Sequence, residues 1–360
     1  MTSRERFLAA LRCTPTDRRF RYEHGPWPST HARWEQEGYP RDAEFGKYFK
    51  MDPLVRIMIQ SGFTDSPYFP KFDETTLDET AECRIFRDGD GIHKMELKTG
   101  RDTSMPQFIK FPVADRADWA AIRQRLNPAD GAARIGDTEP LRRQCADQTV
   151  PTLLPICGVF GHPRNLLGDE GLAFVIYDDP ALLEEILENW LDLYITLIRQ
   201  LTSAVRVDAL LIWEDMCYKN GPLISPEHFR RFMLTPYKKL IACARACGIA
   251  SVIVDTDGDC RKMIPLFVEA DVNCLLPFEA QCGMKLDEIH AAFPKLCILG
   301  GMDKRVLAQD RPAILNEVDR VMRLFEGFGG YIPTLDHTVP PNVSLDNFKY
   351  YLECVRRYET

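Results

Sequence analysis

Apolar residues follow two rhythms along this chain. After residue 150, short apolar runs too dense to alternate are separated by stretches in which apolar residues recur at spacings of three and four. The first rhythm belongs to strands covered on both faces, the second to helices with one buried stripe. PTLLPICGVFG, DALLIWEDM, ASVIVDTDGD, VNCLLPFEA, KLCILGGMD and GYIPTLDHT read as strands. PALLEEILENWLDLYITLIRQLTSA, SPEHFRRFMLTPYKKLIACARACG, CRKMIPLFVEAD, MKLDEIHAAFP, RPAILNEVDRVMRLFEGFG and SLDNFKYYLECVRRY read as helices. The second of these carries its own punctuation: Ser225 as N-cap, Pro226 at the first helical position, Glu227 behind it, and Gly248 as the stop. Strands alternating with helices predict βαβ units and a parallel sheet.

The N-terminal third is less regular. SRERFLAALR, HARWEQEGYP and RADWAAIRQRLNP read as helices, and FRYEHGPWP as a strand entering a Pro/Gly-rich loop. AECRIFRDGDGIHKMELKTG predicts a two-stranded hairpin around Asp88 to Gly91, with SMPQFIKFP extended behind it. Six strands after residue 150, FRYEH as a seventh and one more in the first third predict a (β/α)8 TIM barrel. Residues 1–360 form a single domain in this reading: 1–148 the N-terminal part with a hairpin insertion near 80–100, and 149–360 the regular units. An open doubly wound sheet is the alternative.

Composition narrows the function classes. A net charge of −8, from 45 basic and 53 acidic residues, argues against a nucleic-acid partner, which leaves a basic stripe. No apolar run reaches the roughly 18 residues of a membrane span, and MTSRERFLAALR is too charged for a signal peptide. Twelve scattered cysteines without a CxxC pair signal neither a zinc ribbon nor a thioredoxin site, and reduced thiols point to the cytoplasm. GxGxxG and GxxxxGK[ST] are both missing, so nucleotide-phosphate binding has no support.

The candidate chemistry sits at the strand ends. DALLIW ends in Glu214 and Asp215, SVIV in Asp255 and Asp257, CLLPF in Glu279, CILGGM in Asp303 and Lys304, and YIPTL in Asp336 and His337. In a barrel these ends share one mouth, where active sites lie. Carboxylates gathered there raise one another's pKa unless a cation or proton is shared, which implies a metal site or a proton-transfer task. The plainer alternative is turn chemistry: DTDGD as a βα turn with Asp259 capping a helix, GGMDK as a tight turn capped by Asp303, and His337 as a structural histidine. DTDGD is not an EF-hand loop, because Cys260 and Leu266 stand where Gly and Glu belong.

RERFLAALRCTPTDR, ISPEHFRRFMLTPYKKLI, GGMDKR and YIPTLDHTVPPNVSLDNFKYYL together resemble recurring segments of the uroporphyrinogen decarboxylase superfamily, and the resemblance covers most of the chain. It implies a TIM barrel. Uroporphyrinogen decarboxylases carry an arginine-rich stretch near the first strand for the substrate's carboxylates. Here that region reads RRFRYEHGPWPSTHARW and lacks the RQAGR-type pattern. The chain is more similar to the cobalamin-dependent methyltransferase branch, which holds zinc by a His-x-Cys pair and a later Cys. The matching positions are Asp255 and Asp257, and His337.

The resemblance thus implies zinc held by Asp255, Asp257 and His337, a harder site than thiolates give, and Glu279, at the end of the next strand, is the expected fourth ligand. The expected activity is transfer of a methyl group from a small methoxylated substrate to a corrinoid (cobalamin) on a partner protein. Glu214, Asp215, Asp303 and His337 are the expected catalytic residues, and Tyr22, His24 and Trp27 the substrate-binding ones. Two other readings remain: a decarboxylase or lyase using Asp215, Asp303 and His337 as acid and base, and a non-catalytic barrel that binds a tetrapyrrole or corrinoid.

Overall fold

The computed structural model describes residues 1–98 and 106–359. Its centre is a parallel sheet of seven strands: β1 (Val55–Arg56), β2 (Thr152–Cys157), β3 (Ala209–Trp213), β4 (Ser251–Asp255), β5 (Cys274–Leu276), β6 (Cys297–Leu299) and β7 (Tyr331–Ile332). They pair side by side in chain order, all parallel. Each strand sends alternate residues to opposite faces. Leu153, Leu211, Ile253, Leu276, Leu299 and Ile332 gather on the inner face around Phe7 and Phe20. The other parity, Leu154, Ile156, Leu210, Ile212, Val252 and Val254, packs outward against the helices. Both faces are covered, which explains why the strands read as unbroken apolar runs.

The predicted helices form, among them Pro180–Thr202, Leu234–Ala246, Arg311–Leu324 and Leu345–Arg356. Ser225 accepts the His228 N–H at 3.1 Å and Ser344 that of Asn347 at 3.1 Å, the local bonds that start two of them. One helix, Gly161–Asp178, has no counterpart in the sequence reading, because Gly161, Pro163, Gly168 and Gly171 look like breaks. Gly168 does interrupt it, at φ 75°. The expected hairpin, Cys83–Arg87 with His93–Leu97, is the middle of a four-stranded antiparallel sheet that also holds Thr75–Glu79 and Gln107–Lys110. The last two residues of the predicted hairpin, 99–100, and the first two of SMPQFIKFP, 104–105, lie outside the described residues. No helix among the described residues is long and apolar enough to cross a membrane.

The eight-stranded expectation needs one correction. The sheet does not close through a ladder among the described residues, and FRYEH is not a strand. Residues 19–26 instead lie between β7 and β1, held mainly by side chains. The Arg19 guanidinium donates to the carbonyls of Phe325 and Phe328 on the β7 side. On the β1 side the Arg21 N–H donates to Asp52 Oδ2 at 2.9 Å, and the Asp52 N–H returns a bond to the Arg21 carbonyl at 3.0 Å. The fully buried Glu23 accepts from Thr334 Oγ1 at 2.7 Å, Tyr351 Oη at 2.7 Å and the Leu335 N–H at 3.3 Å. A single parallel bridge, Pro26 to Val339, ends the segment.

Candidate active site

The inward parity continues past the strand ends. After Leu211 come Trp213 and Asp215, and after Ile253 come Asp255 and Asp257, so these side chains line a cavity whose floor is the sheet's apolar inner face. The cavity holds about 270 Å³ and is completed by Tyr22, His24, Arg56 and His337. Asp215 and Asp257 also border a wider outer groove of about 670 Å³, walled by Arg164, Lys219, Glu279 and Arg305.

Three carboxylates meet at this mouth, each with different partners. Asp215, with the left-handed φ of 41°, is clamped by Arg164, whose Nη1 reaches its carbonyl at 2.8 Å and its Oδ2 at 2.7 Å. Burial raises its pKa and Arg164 opposes the rise. Asp257 Oδ2 stands 3.6 Å from His337 Nε2 and raises the pKa of that imidazole. The Thr338 N–H donates to His337 Nδ1 at 2.8 Å, which leaves the ring proton on Nε2, facing Asp257, when the imidazole is neutral. Asp255, between the two pairs, receives no hydrogen bond on its carboxyl from any described residue. Burial first, then the charges of Asp257 and Asp215, push its pKa up from 3.8 to about 8. Asp255 is therefore a neutral carboxylic acid at pH 7, facing the cavity.

The histidine and aromatic wall comes from residues 19–26. Burial, with help from His337 and Arg56, pulls His24 down to about 3, so it is a neutral imidazole, and its Nε2 has no hydrogen-bond partner. Its ring lies 6.4 Å from that of His337. Tyr22 accepts a 2.8 Å bond from Arg56 Nη2. Trp27 is 39% exposed and lies outside the cavity, stacked on His337 at 6.4 Å between ring centroids.

Three expected site residues do structural work instead. Glu214 has the outward parity. Its carboxylate accepts the N–H groups of Val159 at 3.0 Å, Phe160 at 2.7 Å and Gly161 at 3.2 Å, at the start of helix Gly161–Asp178. Asp303 caps a 3₁₀ turn through the Arg305 N–H at 2.9 Å and pairs with the Arg305 guanidinium at 2.6 Å. Glu279 accepts the Gly258 N–H at 3.0 Å and lies 3.4 Å from Lys304 Nζ. Asp336 accepts the N–H groups of Ala280 and Lys304 at 2.9 and 3.0 Å, which fixes the loop that presents His337. Asp259 pairs with Arg261 at 2.7 Å, as a turn residue.

A zinc ion held by Asp255, Asp257, Glu279 and His337 would need all four side chains to converge. Glu279 is turned to Gly258 and Lys304. Among the described residues no three His, Cys, Asp or Glu side chains are arranged to hold a metal ion. The sequence reading missed Glu23, Arg56 and Arg164. Arg56 ends a two-residue strand, too short to show a pattern, and Arg164 lies in the helix that its glycines hid.

A parallel sheet wound with helices, whose strand ends deliver titratable groups to one cavity, defines an α/β enzyme class with its site at the C-terminal edge. Residues 94–358 match the family model described as "Uroporphyrinogen decarboxylase (URO-D)". The chain belongs to the uroporphyrinogen decarboxylase family. It is similar to the uroporphyrinogen decarboxylase of Rickettsia bellii (strain RML369-C), with 21% identity over 188 residues, 51% of this chain and 52% of that protein. It is also similar to that of Syntrophotalea carbinolica, with 23% identity over 260 residues, 69% of this chain and 71% of that protein. The chain thus spans about half the length of the first of these relatives. Among solved structures it resembles a "methyltransferase from Methanosarcina mazei", at a TM-score of 0.63 and 16% identity with both chains covered in full, a likeness of fold.

Proposed function

We propose that the protein is a methyltransferase that takes a methyl group from a small methoxylated substrate, the acceptor being a corrinoid on a partner protein. The reading takes the seven strands and residues 19–26 together as one barrel with its mouth at the strand C-termini. The observation that carries it is Asp255, a neutral acid flanked by two carboxylates and facing an apolar cavity. An ether oxygen is a poor leaving group unless it is protonated as the methyl departs, and a positioned carboxylic acid supplies that proton. A corrinoid, when bound, would supply the nucleophile that the methyl group moves to. Within the chain, Asp255 gives its proton to the departing oxygen, and the product leaves as an alcohol or phenol. Asp257 holds the Nε2–H of His337 in place beside it, and Arg164 clamps Asp215 on the other side. The apolar floor excludes water from the reacting carbon.

Size and charge favour this reading over decarboxylation of a tetrapyrrole. About 270 Å³ lies below the roughly 300–1,000 Å³ of sites for drug-sized ligands. Arg56 is the one arginine or lysine among the described residues lining the cavity, and a substrate with many carboxylates needs more. The test is methyl transfer from a panel of methoxylated compounds to cob(I)alamin, free and protein-bound, beside an assay for uroporphyrinogen decarboxylation. Turnover in the first assay and none in the second is the expected result. The reverse would replace methyl transfer by decarboxylation.

A further inference from the structure

The charges around the cavity do not cancel one by one. Asp215 is answered by Arg164 at 2.7 Å, and Asp257 by His337 at 3.6 Å. Asp255 stands between these pairs on β4. Arg56 is different. It comes from the end of β1, its side chain reaches the cavity, and its hydrogen bond goes to the neutral hydroxyl of Tyr22 at 2.8 Å. No carboxylate among the described residues pairs with it. A guanidinium beside an apolar cavity with only a phenol for company keeps most of its donors free, in a fork that matches a carboxylate. The rest of the cavity suits an uncharged body: Leu54, Phe63, Leu153, Leu211 and Leu276 surround the space below the polar rim.

From this juxtaposition we infer that Arg56 is a specificity-determining residue: it binds the carboxylate of the substrate, a small apolar acid that carries its methoxy group on the same skeleton. The inference rests on the methyl-transfer reading for the methoxy group, and on Arg56 alone for the acid. Tyr22, by holding one arm of the guanidinium, sets its direction. The apolar body then lies over the sheet, and the methoxy oxygen falls to the side of the rim where β4 ends, at Asp255.

The test is calorimetric binding of the 2-, 3- and 4-methoxybenzoates, each beside its neutral amide, to wild-type protein and to Arg56→Gln and Arg56→Lys. Arg56 is exposed at the end of a short edge strand, so these variants should fold, which circular dichroism checks. The expected result is that at least one methoxybenzoate binds wild type ten- to a hundredfold tighter than its amide, roughly the worth of a charge-assisted pair. Arg56→Gln should remove that preference while leaving amide binding as it was, and Arg56→Lys should restore part of it. Equal binding of acid and amide to wild type overturns the inference, as does an acid preference that survives in Arg56→Gln, or no methoxybenzoate binding at all. Turnover separates the two readings. Carboxylate binding that depends on Arg56 with no methyl transfer from any compound would defeat the methyl-transfer reading alone. Transfer from a methoxybenzoate undiminished in Arg56→Gln would defeat the role of Arg56 alone.

Discussion

Replacing Asp255 by Asn should make the protein more stable at neutral pH and inactive. In the unfolded chain this carboxyl titrates near 3.9 and is ionised at pH 7, roughly three units above its pKa. In the folded chain its pKa is about 8, so folding at pH 7 must take up a proton. At 1.36 kcal/mol per unit that comes to about 4 kcal/mol. Because the folded pKa is raised, the stability contributed by Asp255 is complete below about pH 4 and is lost as the pH climbs toward 8. Asparagine keeps the shape and has no proton to take up. The stability difference between Asp255→Asn and wild type, measured by urea unfolding, should therefore grow by roughly 3–4 kcal/mol between pH 5 and pH 8. Methyl transfer should fall by roughly 10²–10⁴ with the loss of the acid. A difference independent of pH, or a variant less stable than wild type at pH 8, would refute the idea that Asp255 is held neutral.

Other expectations follow from the same geometry. Wild-type turnover should decline above pH 8, where Asp255 ionises, and a rate that rises through that range would remove Asp255 as the acid. Asp257→Asn should lower the pKa of His337, read by NMR titration of its ring protons, because Asp257 is what raises it; an unmoved His337 would break the pair. Glu214→Ala should cost about 2–4 kcal/mol by leaving three helix-start N–H groups without their acceptor, with turnover per folded molecule kept. Lost activity in a protein of unchanged Tm would instead return Glu214 to the chemistry. Asp303→Ala should cost about 1 kcal/mol, the worth of a cap, and spare activity, which steady-state rates on folded protein check.

The parallel α/β pattern was legible because its signals are local. Apolar runs doubly covered, three-and-four spacing and caps such as Ser225 each need only a few neighbours in sequence. The clustering of Asp215, Asp255, Asp257 and His337 was legible because parallel strands bring their ends to one edge. Parity along a strand already separates Asp215 from Glu214, since inward Leu211 and Trp213 lead to Asp215 while Leu210 and Ile212 lead to Glu214. Residues 19–26 were not legible as they are. Phe20, Tyr22 and His24 have strand character, yet the segment is held by the side chains of Arg19 and Glu23 at partners more than 300 positions away. Nor could the sequence say that Glu279 turns to Lys304, because that choice is made between two loops.

The seam at residues 19–26 gives this protein an order of assembly. Glu23 is synthesised well before its partners Thr334, Leu335 and Tyr351, which are made 311 to 328 positions later. At roughly 5–20 residues per second the segment that carries Tyr22 and His24 waits on the order of 15–60 s before it has anywhere to dock. The cavity wall is therefore the last part of the site to exist. A chain halted before residue 334 can pair its strands through β7 and still lack the seam contacts of Glu23, and with them the anchor for Tyr22 and His24. Binding competence and synthesis of the stretch from Thr334 to Tyr351 become the same event.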